Sequence, residues 1–241
     1  MRDRTYSELA LAALVIAVAV APLQDTSRLG ARNPAAQAGI RYLYLIRHGA
    51  YDEDDPRDPR VGKGLDSLGR DQARLTGGRL AHLPIRIDRL VSSTFTRAAE
   101  TADIIGKSLH VPVTRDSDVC ECSAPSYRPD YVRVDSRAEK EACRTRLERA
   151  YRRYVRPAGG PDDRHDVIVS HGNVIRWFVT KALGLPTTRW PDYDIGNCSI
   201  TVISVRPNGA TRLDAFSDTG HLPASLQTWT GKGAGWTSAK R

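Results

Sequence analysis

Two short strings, Leu45-Ile46-Arg47-His48-Gly49 and Val169-Ser170-His171-Gly172, each place a histidine and a glycine directly after an apolar run. Between them along the chain stands Thr96-Arg97-Ala98-Ala99-Glu100-Thr101, just after a third such run. Two histidines and two arginines delivered to strand ends describe a site for a phosphoryl group. A neutral imidazole can attack phosphorus in line with the leaving oxygen, provided cations absorb the charge on the equatorial oxygens. His48 supplies the imidazole, and Arg47, Arg97 and His171 supply the surrounding donors. Arginine's planar fork suits two phosphate oxygens at once. Arg97 opens a helix, where free amide protons and the helix dipole favour an anion. The glycines are expected to let the backbone approach that anion closely. A departing alkoxide also needs a proton donor, and Glu121, in an irregular stretch, is the candidate. Each group has a plainer use: a satisfied structural histidine, a surface arginine at a helix start, an ordinary loop carboxylate. Arg176 has two readings, a salt bridge on the helix after His171, which is favoured, and a further phosphate ligand.

The elements that must position these groups are legible. Tyr42 to Ile46, Leu90-Val91 and Asp166 to Val169 read as strands without polar alternation, covered on both faces. Asp66-Ser67 offers a cap to a helix from about Leu68 to Leu83, with Leu68, Leu75 and Leu80 inward. A second helix, about Arg97 to Leu109, carries Ala98, Ala102, Ile105 and Leu109 on one face. Val111 to Val113 is a short strand, and residues 114–135 are irregular. A charged helix runs from about Ser136 to Val155, with Ala142, Leu147, Ala150, Tyr151 and Tyr154 packing. Val174 to Leu183 is a further helix, and Ser199 to Val205 with Thr211 to Phe216 form a hairpin. This alternation predicts an α/β fold, a three-layer α/β/α sandwich with a mostly parallel central sheet. In such sheets ligands gather beyond the carboxyl ends of the strands, where both histidines fall.

The chain has 241 residues, enough for one domain with flanking segments. Four segments are expected: 1–23, an apolar N-terminal stretch; 24–40, a polar linker; 41–223, the folded domain; and 224–241, a tail. Leu9 to Leu23 is nearly all apolar and follows Arg2 and Arg4. About fifteen apolar residues are short for a membrane span and long for a signal core. The stretch reads as a cleavable signal or a retained anchor, with a targeting helix as the third reading. The net charge of +8 comes largely from scattered arginines. With no accompanying motif or aromatic patch it does not call for nucleic acid, and it suits a phosphorylated substrate steered by a positive field. The acidic loop Asp52 to Asp58 reads as solvated; bordering the site, it would favour phosphopeptides carrying basic residues. Cys120, Cys122, Cys143 and Cys198 contain no C-x-x-C pair, so neither zinc nor a disulfide framework is indicated, and four inert thiols are expected. The cysteines flanking Glu121 also leave room for a redox-sensitive site.

Taken in order, Leu45-Ile46-Arg47-His48-Gly49, Ser93-Thr94-Phe95-Thr96-Arg97-Ala98-Ala99-Glu100-Thr101 and Ser170-His171-Gly172 resemble the histidine phosphatase superfamily, the phosphoglycerate-mutase-like proteins. Leu65-Asp66-Ser67-Leu68-Gly69-Arg70-Asp71-Gln72-Ala73 is similar to that family's "L-T-x-x-G-x-x-Q-A" helix start. A narrower likeness, to the mitochondrial membrane-anchored Ser/Thr protein phosphatase branch, lies in His171-Gly172-Asn173-Val174-Ile175-Arg176, Asn197-Cys198-Ser199-Ile200-Thr201, Arg206-Pro207-Asn208-Gly209 and Asp218-Thr219-Gly220-His221-Leu222-Pro223. The resemblance spans roughly residues 41–223. It implies His48 as phosphohistidine nucleophile, Arg47, Arg97 and His171 as the phosphate pocket, and Glu121 as general acid. It implies no metal or other cofactor. The family's acid often stands in an Arg-Glu-Gly string, replaced here by Cys120-Glu121-Cys122. The branch's tryptophan/aspartate assembly motif is not seen in residues 24–40, so its oligomeric state is not carried over.

The expected activity is hydrolysis of phosphomonoesters, with phosphoserine or phosphothreonine proteins as substrate. Alternatives are a phosphoglycerate mutase, a small-molecule phosphatase, and a scaffold that only binds phosphorylated partners. A mutase must hold a substrate carboxylate, which the acidic loop after His48 disfavours. The expected location is a membrane, mitochondrial in a eukaryote and inner in a bacterium, or an exported compartment after signal cleavage.

Overall fold

The alternation within strand β1 (Arg41–Arg47) sets the layers. Leu43 and Leu45 face one side of the sheet and Tyr44 and Ile46 the other, all four buried. The computed structural model describes residues 38–229 apart from 53, 58–60 and 129–134, and both faces are covered. Helices α1 (Ser67–Ala81) and α2 (Thr96–Leu109) pack on the Tyr44/Ile46 face through Leu80, Ala98, Ala102 and Ile105. Helices α3 (Arg137–Tyr154) and α4 (Gly172–Ala182) close the Leu43/Leu45 face through Leu147, Ala150, Val174 and Phe178.

The remaining strands are β2 (Arg89–Ser92), β3 (Val113–Arg115), β4 (Arg164–Ser170), β5 (Ile200–Val205) and β6 (Thr211–Asp218). They form one six-stranded sheet in the order β3-β2-β4-β1-β5-β6. Strands β1 to β4 run parallel, β5 is antiparallel to β1, and β6 to β5. This is the three-layer, mostly parallel architecture expected. Register carries the site: Arg47 lies opposite Ser170, and Ser92 opposite Val169. The chain therefore leaves β1, β4 and β2 at one level as His48, His171 and Ser93. The His48 N–H donates to the Ser170 carbonyl at 2.9 Å and the Ser93 N–H to that of Val169 at 3.0 Å.

Several expectations need correction. Asp66 caps α1 as expected, accepting the Gly69 N–H at 2.6 Å. Its buried face, however, is Gly69, Gln72, Ala73, Thr76, Gly77 and Leu80, while Leu75 is exposed and Leu68 only half-buried. Gly77 lets α1 and α2 approach closely; a Cβ there would stand 2.7 Å from Ser108 Oγ, while Thr76 Oγ1 donates to the Cys198 carbonyl on another side of the helix. In α3, Ser136 and Glu139 form a capping box. The buried stripe is Cys143, Leu147, Ala150 and Tyr154, and Ala142 is exposed. Strand β3 starts at Val113, where the expected one ended.

The cysteines are not four inert thiols. Cys122 is bonded to Cys143, with Cα atoms 5.8 Å apart across 21 residues of sequence, and only Cys120 and Cys198 are free and buried. Moving the inward position of α3 from Ala142 to Cys143 is what brings the two sulfurs together. Closing a loop of this size is worth about 3 kcal/mol in the chain-entropy picture.

Residues 224–228, read as the start of a tail, are tied into the fold: the Asn197 N–H donates to the Thr228 carbonyl at 2.8 Å and Gln72 Nε2 to that of Leu226 at 2.7 Å. The apolar stretch Leu9 to Leu23, the linker up to residue 37, Glu53, Asp58 and Pro129 lie outside the described residues. Among the described residues no helix is long and apolar enough to cross a membrane.

Candidate active site

The adjacent ends of β1 and β4 set the His48 and His171 rings 5.1 Å apart, centroid to centroid. His48 Nδ1 lies 2.8 Å from the Gly49 carbonyl oxygen, which can only accept, so Nδ1 carries the proton and Nε2 the lone pair. Arg97 Nε donates to that Nε2 at 3.2 Å. Burial, then the charge of Arg97, then His171 and Arg47, hold His48 well below the ordinary imidazole range. It is therefore neutral near neutral pH.

His171 is fully buried and is likewise held well below the ordinary range, by burial first and then by Arg97 and Arg47. Its Nε2 meets Ser93 Oγ at 2.8 Å. That hydroxyl accepts the Phe95 N–H at 3.1 Å and lies 3.3 Å from Cys120 Sγ, a weak acceptor. Its proton is better placed on the imidazole nitrogen, which leaves the ring hydrogen of His171 on Nδ1. That Nδ1 is enclosed without a hydrogen-bond partner among the described residues.

Three guanidinium groups converge here. Arg47, at the end of β1, donates from Nη1 to the Ile195 carbonyl at 2.6 Å, and burial lowers it to about 10. Arg97 lies over Tyr51, whose ring also meets His48 edge-on. Arg176 bonds carbonyls and an amide rather than the helix carboxylate favoured in the sequence reading, and its placement suits the alternative, a part in holding phosphate. It is buried, donates to the Gly172 and Tyr193 carbonyls and to Asn173 Oδ1, and lies against the Trp190 ring. Its Nη2 and Arg47 Nε both come within 4 Å of where a Cβ on Gly172 would stand. The first turn of α4 thus presents two cations beside its own amide protons.

Glu121 follows the short 3-10 turn Ser117–Val119, in a stretch without regular structure. The Asp118 carboxylate of that turn accepts from Arg149 and pairs with Arg153 of α3. Glu121 Oε1 is enclosed with no hydrogen-bond partner among the described residues. Burial raises its carboxyl, with Arg97, Arg176 and Arg47 acting in the other direction. The five groups picked out by sequence, His48, His171, Arg47, Arg97 and Glu121, thus share one electrostatic environment at the strand ends.

Three further polar side chains hold the backbone of this set in place. Asn197 Nδ2 donates to the His48 carbonyl at 2.9 Å and its Oδ1 accepts from Thr228. Gln72 accepts the Ala50 N–H at 2.8 Å and reaches Thr228 from its amide nitrogen. Thr101 Oγ1 accepts the Gly49 N–H. Gln72, Thr101 and Asn197 all stand in the strings that carry the family resemblance; composition and periodicity alone would not have singled them out. The loop after His48 borders the site through Tyr51 and through Gly62, where a Cβ would stand 2.6 Å from Arg97 Nη1. Its Asp55 carboxylate is engaged by Arg57 and the Gly64 N–H, within the loop itself.

Of the glycines beside the histidines, Gly49 has a packing reason in addition to the anion approach expected of it. A Cβ on Gly49 would lie 2.6 Å from the Gly69 carbonyl oxygen of α1, so glycine there lets the loop meet that helix. A Cβ on Gly172 would meet nothing closer than 3.4 Å. Gly172→Ala is therefore expected to retain wild-type kcat and melting temperature. Gly49→Ala should lower both, by 1–3 kcal/mol (roughly, as for overpacking) in stability. Urea unfolding and steady-state kinetics on the two variants check this, and equal effects would contradict it.

A family model for the histidine phosphatase superfamily (branch 1) matches residues 43–219. The chain is 38% identical over 197 residues to the Caenorhabditis elegans protein described as "Serine/threonine-protein phosphatase Pgam5, mitochondrial", covering 79% of this chain and 67% of the relative. The Homo sapiens counterpart is 36% identical over 193 residues, covering 76% and 64%. The chain thus spans about two thirds of the length of these relatives. Among solved structures, a Plasmodium falciparum phosphoglycerate mutase superposes with a TM-score of 0.55 at 26% identity, covering 77% of this chain and 96% of that one. A mycobacterial glucosyl-3-phosphoglycerate phosphatase superposes at 0.58 and 24% identity, covering 75% and 100%, a likeness of fold.

Proposed function

We propose that this chain, which belongs to the histidine phosphatase superfamily (branch 1), hydrolyses phosphomonoesters through a phosphohistidine on His48, with phosphoserine and phosphothreonine proteins as its substrates. The observation that carries the chemistry is the pairing of a neutral His48, its Nε2 lone pair facing Arg97, with an enclosed carboxyl at Glu121.

Phosphate takes the place of Arg97 against Nε2, and Arg97 turns to its oxygens together with Arg47. His171 donates from Nδ1 to a third oxygen, and Arg176 adds charge behind Arg47 at the start of α4. Nε2 attacks phosphorus as the serine or threonine oxygen leaves. Glu121, its carboxyl raised by burial, gives that oxygen its proton and becomes a carboxylate. A water then enters, Glu121 takes its proton, and hydroxide displaces Nε2, returning His48 neutral and releasing inorganic phosphate. Charge on the transferring group is met throughout by fixed donors, which need no reorganisation during the reaction.

Protein substrates are supported by the relatives that are described as Ser/Thr protein phosphatases at 36–38% identity. The same relatives are described as mitochondrial, which supports a mitochondrial location in a eukaryotic source; attachment to a membrane through residues 1–23 is a separate part of the proposal, resting on the apolar run Leu9 to Leu23. The test is a panel of phosphoserine, phosphothreonine and phosphotyrosine peptides beside 3-phosphoglycerate. Higher kcat/KM on the phosphoserine and phosphothreonine peptides is expected. Mutase turnover primed by a bisphosphate, or peptide binding without release of phosphate, would overturn the reading.

A further inference from the structure

Glu121 is the one member of the site that no strand end or helix positions. Its backbone is irregular from Cys120 to Arg128. Upstream, Ser170 Oγ donates to the Val119 carbonyl at 2.7 Å. Arg146 of α3 donates from Nη2 to the Cys120 carbonyl at 2.8 Å and to that of Glu121 at 3.3 Å. Downstream, Trp190 Nε1 reaches the Ala124 and Pro125 carbonyls at 3.2 and 3.3 Å. Between them, one residue after Glu121, the chain is joined to α3 by the Cys122–Cys143 bond.

That bond falls at a critical place on α3. From Ser136 to Ala142 the start of the helix is exposed, apart from a half-buried Lys140. Cys143 is its first buried residue. The disulfide therefore anchors both Glu121 and the single turn of α3 that leads to Arg146, the side chain gripping the Glu121 carbonyl. Cys122 is only half-buried, whereas the free thiols of Cys120 and Cys198 are fully buried.

We propose that Cys122 and Cys143 are positioning residues for Glu121, and that opening their disulfide with a dithiol reductant weakens turnover by releasing the acid while leaving phosphate binding intact. A thiolate of the reductant attacks one sulfur and forms a mixed disulfide. Its second thiol displaces the protein, so the reductant is oxidised to its disulfide and Cys122 and Cys143 each take up a proton as thiols. Arg47, His48, Arg97 and His171 stand on strand ends and helix starts that the bond does not touch, so the anion site persists. Misplacing a catalytic group by about an ångström costs up to roughly a hundredfold in rate.

The inference rests on Glu121 being the proton donor, and the experiment separates the two. The full chain is assayed before and after dithiothreitol, with thiols counted under denaturing conditions, on a phosphoserine peptide and on an aryl phosphate. Two new thiols and a fall in kcat of about 10- to 100-fold on the peptide, with KM and the inhibition constant of inorganic phosphate unchanged, are expected. Reoxidation should restore the rate. Cys143→Ser should show the low rate without reductant and no further response to it; should that variant fold poorly, reduction and reoxidation of the wild type stand alone. Four titratable thiols in the oxidised protein would overturn the inference. So would an unchanged peptide kcat after reduction, in a protein where Glu121→Gln lowers it. If Glu121→Gln leaves the rate intact, it is the acid assignment that fails.

Discussion

His48→Ala will lose hydrolysis of an aryl phosphate by about ten-thousand-fold or more, the scale on which removing a covalent nucleophile acts. Alanine deletes Nε2 and also the Nδ1 contact to the Gly49 carbonyl, yet leaves the backbone tie from the His48 N–H to Ser170. Arg47, Arg97 and His171 remain, so the variant should still bind inorganic phosphate, read by calorimetry. An aryl phosphate is the stringent substrate, because its leaving group needs no acid and a surviving route would be visible. Residual turnover near the wild-type rate would remove His48 from the reaction.

Glu121→Gln is expected to separate the two half-reactions. On a phosphoserine peptide, where an alkoxide must be protonated, kcat should fall by about a hundred- to ten-thousand-fold. With p-nitrophenyl phosphate the first step needs no proton, so p-nitrophenolate should appear in a burst equal to the sites present. A slow phase follows while water, deprived of its base, attacks the phosphohistidine. The pH dependence follows from the direction of each shift. Burial raises Glu121 above the ordinary carboxyl value of 4.5, and the acid must be protonated, so wild-type kcat on the peptide falls as pH rises through that raised value. Glutamine has no such limb. His48 must be neutral, and because burial and Arg97 hold it well below 6.5, no loss is expected as pH falls through 6.5. Stopped-flow and steady-state pH profiles on both proteins read these outcomes; no burst and an unchanged alkaline limb would contradict the assignment.

The fold could be read from sequence where a pattern has a single physical meaning. Tyr42 to Ile46 and Asp166 to Val169 carry no polar alternation because helices cover both faces, and parallel pairing then delivers Arg47-His48 and His171 to one level. Inward faces depart from the leucine pattern where packing is close. In α1 the leucine pattern points to Leu68 and Leu75, but Gly77 is what meets α2, Gly69 meets the Ala50 backbone, and Thr76 bonds the Cys198 carbonyl. In α3 a one-residue error in phase hid Cys143, and with it the disulfide, since no sequence spacing reports which two sulfurs share a core. Burial of the Arg176 guanidinium beside carbonyls and a tryptophan ring is a tertiary fact that spacing along one helix does not carry. Asn197 and Gln72 act on the His48-Gly49-Ala50 backbone from 149 and 22 residues away, a separation only the folded chain closes.

The most direct measurement is to mix the protein with a radiolabelled phosphoserine peptide, quench it with base within milliseconds, and map the label. The expected result is one phosphoryl group per chain, stable to base and labile to acid, on the peptide containing His48, accumulating further in Glu121→Gln and absent from His48→Ala. Turnover with no label on His48, or the label on another residue, would contradict a phosphohistidine route.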